Sequence, residues 1–85
     1  MDVLTLTDLV ESAKRQMTSI TGMEYDTISE FDQIGDGWAV VIDMLEHRSI
    51  PRTQDLLSTF EVRLDNAGRV TRWKRTNRST RGHHG

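Results

Sequence analysis

Gly35-Asp36-Gly37-Trp38-Ala39-Val40-Val41-Ile42-Asp43-Met44-Leu45-Glu46 is the stretch that decides the fold. Asp36-Gly37 tolerates the positive φ angles of a tight hairpin, so a turn is expected there. From Trp38 the chain alternates: Trp38, Val40, Ile42 and Met44 fall on one side of a strand, Ala39, Val41, Asp43 and Leu45 on the other. Both sides are largely apolar, which predicts a central strand over 38–46 with one face under a helix. Pro51 has no N–H for a ladder, so the strand must stop before it.

Working outward, Leu56, Phe60, Val62 and Leu64 share one face of a second strand over 56–65, with Ser58 as the exception. Asp65-Asn66-Ala67-Gly68 reads as a type I turn with Gly68 left-handed. A third strand follows over 69–75. In a regular strand Val70 and Trp73 would lie on opposite faces, so either one is exposed or a bulge re-aims Trp73. Upstream, Ile28 and Phe31 are three apart, which fits neither strand alternation nor a long helix, and a short strand is expected near 27–33. Leu6, Leu9, Val10, Ala13, Met17 and Ile20 recur at helical spacing and predict an amphipathic helix over 6–21. Thr5 can cap it, Asp8 can return the bond, Leu4 and Leu9 can form a staple, and Gly22 can end it. Residues 1–82 are thus expected to form one α+β domain, an N-terminal amphipathic helix packed on a three- to four-stranded antiparallel sheet. Residues 76–85 are expected to be a basic, mobile tail.

The net charge of −2 conceals a split. Residues 1–65 hold all thirteen acids against five bases, a net of −8, and residues 66–85 hold six bases and no acid. Either the basic end folds back on the acidic body, or it docks an acidic partner or polyanion. There is no cysteine, so thiolate chemistry and disulfides are excluded. No apolar run approaches a membrane span and no signal peptide is seen, so a cytoplasmic protein without membrane contact is expected. His47, His83 and His84 form no convincing catalytic or metal-ligand set, and His83-His84 reads as an untethered tail. No catalytic residue, metal, cofactor or small-molecule substrate is therefore expected.

Binding signals lie in the loop after Glu46 and in the basic end. Ile50-Pro51 gives the loop a stiff apolar tip between Arg48 and Arg52. Locally, Arg48 could pair with Asp55 or Glu46 while Ile50 tucks over the core edge. Alternatively Ile50 and the arginines contact a protein. Arg48, Ile50, Pro51, Trp73, Arg75, Arg78 and Arg81 are the candidate partner-binding residues, with Arg48, Ile50, Arg75 and Arg78 expected to form one patch. Arg72 to Arg81, with one aromatic, also has the composition of a weak nucleic-acid contact, so a small RNA-binding module is the alternative.

Gly37-Trp38 before a strand, Glu46-x-x-x-Ile50-Pro51-x-x-x-Asp55, Phe60-Glu61-Val62-x-Leu64-Asp65-x-x-Gly68 and Trp73-x-Arg75-x-x-Arg78-x-x-Arg81-Gly82 together resemble the gas vesicle protein O family. The likeness covers about Gly37 to Gly82. Phe60 and Trp73 stand where Tyr is common in that family, and Ser79 where an aromatic is expected. The resemblance implies a non-enzymatic accessory protein in gas vesicle assembly, associated with gas vesicles and acting through contacts with other gas vesicle proteins.

Overall fold

A computed structural model of the protein describes residues 5–82. Among these residues one α-helix, α1 (Leu6–Thr21), precedes four strands, β1 (Glu24–Ile34), β2 (Gly37–His47), β3 (Leu56–Leu64) and β4 (Val70–Thr80), with a short 3-10 turn at Arg52–Gln54 between β2 and β3. The strands form one antiparallel sheet in the order β1-β2-β3-β4, so β2 and β3 are central and β1 and β4 are edges. This is the α+β arrangement the hydrophobic pattern implies.

The ends of α1 follow from its flanking residues. The Thr5 hydroxyl accepts from the Asp8 amide and the Asp8 carboxylate accepts from the Thr5 amide, each at 3.1 Å, which satisfies two orphan donors at once. At the other end Gly22 takes φ +75° and its N–H reaches the Thr18 carbonyl. Leu9, Ala13 and Met17 are buried, whereas Leu6 and Ile20, expected on the same apolar stripe, are exposed at the helix ends. The proposed Leu4–Leu9 staple lies outside the described residues.

Val40, Ile42 and Met44 of β2 meet Phe60, Val62 and Leu64 of β3 under the helix and form the core. The helix is also locked by polar contacts. Gln16 donates to the Gly68 carbonyl at 2.6 Å and accepts from the Val70 amide at 2.9 Å, and the Ser12 hydroxyl donates to the same carbonyl. Lys14 lies 4.4 Å from the centre of the Tyr25 ring on β1.

The two edge strands depart from simple alternation. In β1 the register slips at Asp26 and at Ser29, and each slip inserts one residue. Tyr25, Ile28 and Phe31, three apart, therefore all land on the core face, opposite Met44, Ile42 and Val40. The expected strand over 27–33 is thus part of a longer one, its period hidden by two bulges. In β4 the inserted residues are Thr71 and Thr76. The first puts Val70 and Trp73 on one face, opposite Leu64 and Val62, and the second puts Arg75 and Arg78 on that same face.

Two expectations are corrected. The β1–β2 turn lies where expected, but its positive φ is at Gly35 (+56°), not Gly37. Gly37 is needed for space instead, because a Cβ there would sit 2.1 Å from the Leu64 carbonyl oxygen. The second correction concerns the chain from Thr76. It does not fray: β4 runs to Thr80, and the Arg81 and Gly82 amides then donate to the Asp55 and Thr53 carbonyls at 2.8 and 2.9 Å. His83, His84 and Gly85 lie outside the described residues.

Candidate functional site

The end of the sheet where β2 leaves and β3 enters holds a network of charges. Asp55, 1% exposed, anchors it. Its carboxylate accepts from the Ser49 amide at 2.7 Å, which folds the loop, and from Arg81 Nε at 3.2 Å. The Arg81 guanidinium also donates to Asp26 at 2.8 Å, at the first bulge of β1. One side chain therefore ties the last strand, the β2–β3 loop and the first strand together. The Ser49 amide, then Arg81, hold the Asp55 carboxyl below its ordinary value, and Asp26, then Asp55, raise that of Arg81. Gly82 closes the clasp, since a Cβ there would lie 2.7 Å from Thr53 Cβ.

A second cluster lies on the helix-covered face. Glu46 is the inserted residue of a bulge in β2. Its carboxylate accepts from the buried Ser58 hydroxyl and from Arg78, and lies 3.6 Å from Arg75. The Ser58 hydroxyl, then Arg78, hold the Glu46 carboxyl below its ordinary value. Ser58 interrupts the apolar face of β3 because it supplies this bond. Two guanidiniums, each about half exposed, share this carboxylate, so the rim keeps a positive charge.

Next to Arg75 a shallow groove of about 400 Å³ opens between the end of α1 and β4, lined by Ile20, Thr21, Met23, Phe60, Trp73 and Arg75. Trp73 is 49% exposed and leans edge-on against Phe60, with ring centres 6.1 Å apart. An apolar floor with a cationic rim suits an amphipathic, acidic segment of a protein partner.

The residues singled out from the sequence separate into three places. Trp73, Arg75 and Arg78 come together along the groove and its rim. Arg81 is committed to the clasp. Arg48 pairs with Glu24 at the β1 edge at 2.9 Å, not with Asp55 or Glu46. Ile50 does not tuck over the core; it is 99% exposed at the loop tip, beside exposed Pro51. The arginines expected in one patch are thus engaged in separate ion pairs, Arg48 with Glu24 and Arg75 and Arg78 with Glu46. Ile20 was missed as a groove residue because an apolar residue at helical spacing reads first as core, and Met23 because it stands in the joint past Gly22, where no period applies.

A family model described as gas vesicle synthesis protein GvpO matches residues 1–85. The chain belongs to this family. It is 35% identical over 74 residues to gas vesicle protein O of a Streptomyces species, covering 87% of this chain and 58% of that protein. It is 31% identical over 78 residues to gas vesicle protein O of Haloferax mediterranei, covering 91% and 56%. To gas vesicle protein O1 of Halobacterium salinarum it is 26% identical over 78 residues, covering 92% and 66%. The chain thus spans from about half to two thirds of the length of these relatives. No solved structure matches it. Among the described residues, no helix is long and apolar enough to cross a membrane.

Proposed function

We propose that the protein acts in gas vesicle formation as a non-enzymatic accessory protein that docks on other gas vesicle proteins through the groove beside Trp73. The observation that carries this reading is the half-exposed Trp73 beside exposed Ile20, with Arg75 on the rim. Trp and Arg are the residues that most often anchor interfaces, and an open groove suits a peptide segment better than an enclosed small molecule. Ile50, at the loop tip, is a second apolar contact in the proposal. Arg81 and Arg48 are set aside, as their charges are engaged within the chain. A cytoplasmic location is part of the same proposal, and cell fractionation tests it.

The RNA-binding alternative gains no support from this arrangement. Arg81 is committed to Asp26 and Asp55, Arg75 and Arg78 have one carboxylate between them, and one aromatic makes a poor stacking platform.

Capture of individual gas vesicle proteins on the immobilised chain, with a salt titration, tests the proposal. Trp73→Ala and Ile20→Asp should each weaken capture about tenfold or more, as buried anchors do, while circular dichroism stays unchanged. The complex should persist at high salt. Capture that both variants retain would overturn the reading, as would RNA binding lost in Trp73→Ala with no protein captured.

A further inference from the structure

Among the described residues both edges of the sheet are unpaired, since β1 borders only β2 and β4 borders only β3. Their charges are opposite. Glu24–Ile34 carries four acids and no base, and Val70–Thr80 carries four bases and no acid. Internal pairs account for Glu24, Asp26, Arg75 and Arg78. That leaves Glu30 and Asp32 on one edge and Arg72 and Lys74 on the other, without an ion-pair partner among the described residues. Glu30 and Asp32 register with Val41 and Ala39, and Arg72 and Lys74 with Arg63 and Glu61. All four consequently project from the face that the helix leaves open.

Charged edges commonly prevent strands from pairing between molecules. Like edges repel here, so β1 is kept from β1 and β4 from β4. The β1 edge and the β4 edge attract. Bulges interrupt both strands, but Glu30–Ile34 and Arg72–Arg75 stay regular.

We propose that copies of this chain associate head to tail, β4 of one beside β1 of the next. Strand directions alternate across the sheet, so the new pair is antiparallel and the sheet continues with its helix-free faces on one side. The spacing sets a register. An antiparallel pairing that places Lys74 opposite Glu30 also places Arg72 opposite Asp32, and opposite charges facing each other across a ladder are favourable. Trp73 then stands opposite Phe31 on the helix-covered face. Such a contact is heterologous, so it extends into open chains rather than closing as a dimer. The regular stretch is short, which makes the association reversible and dependent on concentration. It shares Trp73 with the groove, so a bound vesicle protein would compete with it, and the test uses the purified chain alone.

Sedimentation velocity of the whole chain across concentration and salt gives the test. The mass should rise with concentration at low salt and fall as salt screens the pairs. Arg72→Glu/Lys74→Glu and Glu30→Lys/Asp32→Lys should each stay monomeric, with native circular dichroism. Mixing the two should restore association, because the acidic β4 of one now meets the basic β1 of the other. The fourfold variant should also associate alone, which no loss of folding can mimic. A wild-type chain that remains monomeric at low salt up to its solubility limit would overturn the proposal. So would association that both double variants retain, or a mixture that stays monomeric.

Discussion

Removing the buried Asp55 carboxylate would strip the Ser49 amide and the Arg81 guanidinium of a shared acceptor at a partly buried site. The titration of this group gives a sign that can be checked. Asp55, Glu46 and Asp65 are all held below their ordinary values, Asp65 by the Arg69 and then the Ala67 amides. A carboxyl with a lowered folded pKa contributes stability that is complete above its ordinary value and is lost as pH falls through the folded one. The urea midpoint should therefore hold level near neutrality and drop as pH falls below the carboxylate range. In Asp55→Asn that drop should be shallower, and an unchanged pH slope would remove Asp55 from the clasp. Core and turn residues behave differently. Met17→Ala should cost about 2–5 kcal/mol by emptying a fully buried site. Gly82→Ala should cost about 1–3 kcal/mol by overpacking against Thr53. Chemical denaturation measures both.

At the scale of elements, the helix and the central strands were legible because single residues mark their ends and apolar periods run unbroken. The Thr5/Asp8 cap, Gly22, and the Asp65–Gly68 turn all sit where the sequence places them. The edge strands were harder to read because one inserted residue reverses the facing of everything after it. The spacing of three between Ile28 and Phe31, and between Val70 and Trp73, was the hint of this, since two large apolar residues three apart demand a bulge if both are to share a face. The far half of β4 was illegible for another reason. It has no apolar residue, and it is held by its ladder with β3 and by acids distant in sequence, Glu46 for Arg78 and, just past the strand, Asp26 and Asp55 for Arg81. Hydrogen exchange checks this order. The Arg81 and Gly82 amides should be protected, and Arg81→Ala should release both. Exchange at the rate of an unstructured chain in the wild type would restore the frayed tail.

Across the whole molecule, much of the motif that carries the family likeness builds the fold. Gly37 makes room for β3, Asp65 and Gly68 form the turn that Gln16 grips, and Asp55, Arg81 and Gly82 close the end of the sheet. Trp73 and Arg75, with Ile20 at the helix end, are exposed in the groove, and Met23, just past the helix, lines it from its place against the core. The charge split has a matching explanation, because part of the basic end folds back on the acidic body and part stays on the rim. The chain thus carries a clasp that holds the sheet and a groove that is the proposed docking site. The most direct test is an NMR titration of the isotope-labelled chain with a gas vesicle protein that it captures. Shifts should concentrate at Ile20, Met23, Trp73 and Arg75, with the clasp amides of Arg81 and Gly82 nearly still. Shifts centred on the open face, at Val41, Leu45 and Leu57, with a silent groove would contradict that docking site.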